Sequence, residues 1–272
     1  MVKRRIHLLT LLCAGVAALG VLAAPAATAS QTSQTSQTSQ ANQARPAVSP
    51  SDLPACPFFY NGPIPTRPIV GGTDPGTLAP PVDIGNRLPA PTGISGSLNA
   101  NGTVTFTFNR VPGAVAYRAF KNGQALQWID DWGQASFLVT DSSPCQNANY
   151  QVYAMTEDNT DPSAIGQIST AYRVGANNQL APYSIPAGTT FTFTVTSYND
   201  GGQTALGYNA GLGFCAVDAR VIPWGTRFTV PGYGSCYAAD IGDWIEGDIT
   251  DVWLPGGEAN NWGVQQQTIT VN

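Results

Sequence analysis

Three aspartates give this chain its first indication of chemistry. Asp218, Asp240 and Asp251 lie close together in the settings V-D-A-R-V-I-P-W-G, A-D-I-G and T-D-V. Only 11% of the residues are charged, so such a grouping of carboxyl groups stands out from the rest of the chain. A carboxyl that keeps its proton near neutral pH can deliver it to a leaving oxygen, the task of a general acid. Burial and neighbouring negative charge both disfavour the ionised form and so raise the pKa. Asp240 is followed by Asp243, Glu246 and Asp248 and by apolar Ile241, Trp244 and Ile245, which makes it the candidate for such tuning. Asp243, Glu246, Asp248 and Glu258 read as solvated loop residues.

Other chemistries are excluded by what the chain lacks. His7 is its one histidine, and it falls in a segment with the features of a secretory leader. Lys3-Arg4-Arg5 precede an apolar run over 8–24, and Ala27-Thr28-Ala29 has the small-residue pattern of a cleavage site. Cleavage after Ala29 would leave no histidine, and with it no Ser-His-Asp triad, Cys-His dyad or His-ligated zinc. Lys121 is the only lysine beyond the leader, so no phosphate-binding loop of the G-K-[ST] kind can be written. The net charge of −5 for the whole chain becomes about −8 without Lys3, Arg4 and Arg5, which repels nucleic acid and anionic lipid. The residues after Asp240 do not form a calcium loop, because Gly242 and Trp244 stand where Asp or Asn is needed and Ile245 where Gly is needed. No metal and no cofactor is expected.

The carboxylates need a rigid support, and short β-strands supply it. Residues 30–50, with their repeated Gln-Thr-Ser, have nothing to bury and read as a disordered tether. Together with the Pro- and Gly-rich stretch that follows they form an arm over 30–87. From 88 to 174 apolar residues alternate in short runs, Val104, Phe106 and Phe108 on one face and Tyr150, Val152 and Ala154 in another run. About seven such runs predict a β-sandwich, and the order of the runs resembles a fibronectin type III module, with Phe108 where that family usually has tryptophan. Residues 175–189 read as a linker between separately folding units, and 190–272 as a second β domain punctuated by Gly and Pro, for which a closed barrel solves the problem of exposed strand edges. Beyond the leader, Cys56, Cys145, Cys215 and Cys236 are an even set, as two disulfides require. Three pairings are possible on paper. Cys215–Cys236 within one small domain and Cys56–Cys145 tying the arm to the sandwich is the expected one, the former contributing roughly 3 kcal/mol.

Five blocks in order carry a resemblance across 190–272. They are Thr204-Ala205-Leu206-Gly207, Ala216-Val217-Asp218-Ala219-Arg220-Val221-Ile222-Pro223-Trp224-Gly225-Thr226, Ala238-Ala239-Asp240-Ile241-Gly242-Asp243-Trp244-Ile245-Glu246-Gly247, Thr250-Asp251-Val252 and Trp262-Gly263. This stretch resembles the three-aspartate, or 3D, domain, the double-psi β-barrel of the lytic transglycosylase A and stationary-phase survival type. The fold class expected is therefore all-β, a fibronectin III-like sandwich followed by a small six-stranded double-psi barrel. The resemblance implies Asp240 as catalytic acid with Asp218 and Asp251 assisting, and substrate contacts near Thr204, Gly242 and Trp244. Trp224 and Trp244 replace smaller family residues.

What the resemblance implies chemically is cleavage of the peptidoglycan bond between N-acetylmuramic acid and N-acetylglucosamine. One carboxyl protonates the leaving oxygen and then takes the proton of the C6 hydroxyl as a 1,6-anhydro ring closes, so no water is consumed. That differs from hydrolysis by two carboxylates. The alternative is an expansin-like wall binder or a secreted protease inhibitor that breaks no bond. The expected partner is peptidoglycan or another wall polysaccharide, with no nucleic acid, no membrane after leader removal, and a secreted, monomeric protein.

Overall fold

The computed structural model describes residues 48–58, 79–157, 161, 163–256 and 261–272. The expected leader and most of the tether lie outside them. Among the described residues, fourteen strands, β1 to β14, follow a 3-10 turn at Pro50–Asp52. The protein is all-β, as the alternating runs predict.

The sandwich is built from two sheets. β1 (Ser95–Leu98), β2 (Val104–Asn109) and β5 (Ser136–Asp141) form one. The other runs β4 (Gln124–Asp130), β3 (Ala116–Lys121), β6 (Tyr150–Met155), β7 (Ala171–Val174) and β8 (Leu180–Tyr183). Val104, Phe106 and Phe108 point into the shared core, as their alternation requires, and Phe108 lies 5.0 Å from the Tyr117 ring and 5.2 Å from that of Phe137. Each large side chain so buried contributes about 1.5–3 kcal/mol.

The barrel closes in the order β10 (Phe214–Val217), β12 (Gly234–Asp240), β11 (Arg227–Val230), β14 (Gln265–Val271), β9 (Thr190–Tyr198) and β13 (Ile249–Trp253). The neighbours β10–β12 and β9–β13 are parallel, and the remaining pairs antiparallel. Closure leaves no edge strand. Phe193, Val195, Cys215, Val217, Phe228, Val230, Val252 and Ile269 fill the interior.

Both disulfides pair as expected. Cys215–Cys236 joins β10 to β12 inside the barrel with a Cα–Cα distance of 5.6 Å, and Cys56–Cys145 fastens the arm to the sandwich with 4.8 Å. Residues 175–189 contain β8, which pairs with β7 and extends the sandwich sheet, so strand covers part of the stretch that reads as linker. Nor are the two β units independent in their packing. One apolar cluster joins Ala116, Phe120, Tyr153, Met155 and Ile165 of the sandwich to the barrel interior. The Asn149 side-chain amide donates to the Ala219 carbonyl at 2.6 Å, and that of Gln151 to the Trp224 carbonyl at 2.8 Å.

Candidate active site

Asp240 ends β12 and Asp251 lies in the middle of β13, on either side of β10. Phe214 pairs with Tyr237 and Cys215 with Ala238, but Ala216 pairs with Asp240, because the register slips by one at this point. An unbroken ladder would set Asp240 against Val217, whose side chain is in the barrel core. The slip instead turns Asp240 to the outer face, a familiar use of an extra residue in a strand. Ala216 also pairs with Asp251, and Asp251 with Thr196. Asp240, Ala216, Asp251 and Thr196 thus form one row across four adjacent strands, with a methyl group between the two carboxylates.

Each carboxylate is held by a hydroxyl from β9. Tyr198 donates to Asp240 Oδ2 at 3.2 Å, and Thr196 donates to Asp251 Oδ1 at 2.8 Å. Alternation along β9 sends Phe193 and Val195 inward and leaves Thr196 and Tyr198 to face the aspartates. Asp240 Oδ1 accepts the backbone N–H of Ala205 at 2.7 Å and of Ile241 at 2.9 Å. With Oδ1 facing two amide donors, a proton on this carboxyl belongs on Oδ2. Burial raises the pKa of Asp240 above the usual carboxylate value, and it outweighs the opposing hydrogen bonds from Ala205, Ile241 and Tyr198. Burial, reinforced by the charges of Asp240 and Asp251, also pushes up the Tyr198 hydroxyl, which therefore stays a donor.

A cleft of about 250 Å³ opens over this row, lined by Tyr198, Gln203, Asp240, Gly242, Trp244 and Asp251 among others. Trp244 is half-buried and packs beside Ala216, Ile245 and Ile249. Gly242 forms the rim, and a Cβ there would lie 2.7 Å from Ile245 Cγ1. Thr204 stands one step back. It is buried, and its hydroxyl accepts the Tyr208 N–H at 3.1 Å, closing the turn that presents the Ala205 N–H to Asp240.

Asp218 is placed differently. It lies just beyond β10 and lines a neighbouring cleft of about 300 Å³, where Arg220 grips both its oxygens at 2.6–3.0 Å and the Gly247 N–H donates to Oδ2 at 2.7 Å. Its hydrogen bonds tie the 241–248 loop to the end of β10. The Arg220 guanidinium also lies 3.5 Å from Glu246 and donates to the Pro57 carbonyl at 2.7 Å. Asp243 and Asp248 are exposed, and Glu258 lies outside the described residues. Trp224 is buried in the seam, edge-on to Phe120 at 5.0 Å.

Sequence reading did not single out Thr196, Tyr198 or Arg220. The continued alternation of β9 past Val195 is the signal that could have found the first two.

Residues 214–272 match the family model described as "3D domain". The match starts one strand after the barrel does, so β9 and its two hydroxyls lie ahead of it. Among characterised proteins the chain is 38% identical over 109 residues to the "Cell wall-binding protein YocH" of Bacillus subtilis (strain 168), covering 37% of this chain and 37% of that protein. It is 38% identical over 76 residues to the "Putative cell wall shaping protein YabE" of the same organism, covering 26% of this chain and 19% of that one. The matched stretch is well under half the length of either relative. With the family match over 214–272 and a closed six-stranded barrel in the same region, the C-terminal part of this chain is similar to the 3D domain in both sequence and architecture.

Proposed function

We propose that this protein works outside the cell on the bacterial wall, as a peptidoglycan lytic transglycosylase whose acid and base are both Asp240. The observation that carries this is the placement of a carboxyl with a raised pKa in an open cleft, beside a second carboxylate and a half-buried indole. Protonated Asp240 Oδ2 gives its proton to the oxygen between the two sugars as the C1–O bond breaks. Asp251, across Ala216, stabilises the positive charge that develops on the ring. The Asp240 carboxylate then takes the C6 hydroxyl proton while O6 bonds to C1, which returns the acid to its starting state. Trp244 offers a flat apolar face to a sugar ring. Asp218 serves through position, by fixing the loop that carries Gly242 and Trp244. Two disulfides and the wall-related names of both relatives support an extracellular setting.

The relatives' names favour a second reading, in which the same cleft binds wall glycan and cleaves nothing. Incubation with purified peptidoglycan separates the two. The enzyme reading requires soluble 1,6-anhydro-muramyl products from the wild type and their loss, by about 100- to 10,000-fold, in Asp240→Asn. Binding without soluble product would establish the second reading.

A further inference from the structure

The cleft over Asp240 does not end at the barrel. It shares Ile241 and Gly242 with the neighbouring cleft of about 300 Å³, whose opposite wall is Asn122 and Gln124 of the sandwich. Those two residues belong to the β3–β4 hairpin. Asn122 and Gly123 both have positive φ, 53° and 75°, as a tight two-residue turn demands.

This turn is fixed against the barrel. A Cβ on Gly123 would lie 2.9 Å from the Ala219 Cβ and 3.2 Å from Trp224, so only glycine lets the hairpin approach this closely. The Asn149 and Gln151 amides hold the same barrel segment by its carbonyls. The wall of the second cleft is therefore rigid before any ligand arrives, which lowers the entropy lost on binding.

β4 carries one extra residue between Gln124 and Trp128, because Ala119 pairs with Gln127 but Phe120 with Ala125. Ala125, next to Gln124, and Trp128 therefore share a face and lie about 10 Å apart along the strand. Trp128 pairs with Arg118, whose guanidinium lies over the Phe120 ring at 5.5 Å, and Phe120 packs into the cluster shared with the barrel. Cross-strand partners share a face, so Trp128 stands on the barrel-facing side of the sheet, beyond the part the barrel covers. It is 39% exposed, and its indole N–H donates to Asp130 at 3.0 Å, which fixes the ring. A rigid, half-open indole suits the apolar face of a sugar ring.

We propose that the sandwich is part of the substrate groove. A glycan strand seated over Asp240 continues across Gly242, past Gln124 at the end of the second cleft, over Ala125, and stacks a distal sugar on Trp128, so the protein selects long strands over short fragments. The proposal rests on the wall-glycan reading of the Asp240 cleft. The strand is the occupant the site favours because the second cleft adjoins the Asp240 cleft through Ile241 and Gly242, and the exposed indole of Trp128 stands farther along the hairpin that walls it.

The test uses the full chain carrying Asp240→Asn, so that nothing is cleaved, and peptidoglycan strands freed of their peptides and fractionated by length. Affinity for long strands relative to two-sugar fragments is the readout. In this background Trp128→Ala should lower that ratio about three- to tenfold, and Gln124→Ala should lower it less. Leu138→Ala is the control, since that exposed side chain lies on the outer face of the opposite sheet, between inward Phe137 and Val139. An unchanged ratio in Trp128→Ala, or an equal fall in Leu138→Ala, overturns the extended groove while leaving the Asp240 site in place. No binding of strands of any length by the unsubstituted chain overturns both.

Discussion

Asp240 and Asp251 face the same cleft from strands that flank β10, each in register with Ala216. The backbones that carry them are two strand spacings apart, about 10 Å. The small side chain between them leaves room for a ligand. Ala216→Leu should fill that floor and abolish glycan binding, and because the row lies outside the barrel interior, the thermal midpoint should move by only a few degrees. Pull-down on insoluble peptidoglycan with circular dichroism melting checks both halves.

The raised pKa of Asp240 sets a pH dependence with a definite sign. Burial penalises the charged form, so the folded protein holds this proton more tightly than the unfolded chain does. The resulting stabilisation is full below the unfolded pKa, about 3.9, and is lost as pH rises through the higher folded value. Asp240→Asn carries no such charge, so it should be more stable than the wild type at neutral pH, and the gap should close on acidification. Urea denaturation at neutral and acidic pH measures this. A constant gap would mean that the carboxyl is not desolvated.

Tyr198 acts on Asp240 through its hydroxyl, which stabilises the carboxylate. Tyr198→Phe keeps the ring and removes the donor, so the Asp240 pKa should rise further. Carbon-detected titration of the Asp240 carboxyl reads this directly, and the alkaline limb of any pH–rate profile should move the same way. A shift to lower pH would contradict the assigned geometry.

Asp218 and Arg220 form a pair with only 5% and 13% of their side chains exposed. Removing one partner strands the other's charge. Arg220→Ala should destabilise the fold by about 3 kcal/mol, seen as a lower denaturation midpoint, and should loosen the 241–248 loop, seen as faster amide exchange at Gly247. Loss of activity with unchanged stability would instead point to a direct catalytic part for Asp218.

Much of this molecule follows from local regularities of the chain. A two-residue period puts Phe106, Val139, Phe193 and Val195 inside, and that period needs no long-range information. Four cysteines beyond residue 29 suggested two disulfides, and the placement of one pair in a short span favoured the pairing seen. The motif blocks around Asp218, Asp240 and Asp251 carried the resemblance to the 3D domain, whose family model matches 214–272. Other features depend on strands meeting. The slip that turns Asp240 outward exists only between β12 and β10, and strand propensity is blind to it. Tyr198 and Asp240 are 42 residues apart and Thr196 and Asp251 are 55 apart, so barrel closure alone makes those hydrogen bonds. Asp218 has the same motif standing as Asp240, yet Arg220, two residues on, engages its carboxylate while burial keeps a proton within reach of the other. The seam was equally hidden, because Gly123, Asn149 and Gln151 carry no periodic signal and acquire their roles only when the sandwich packs against the barrel.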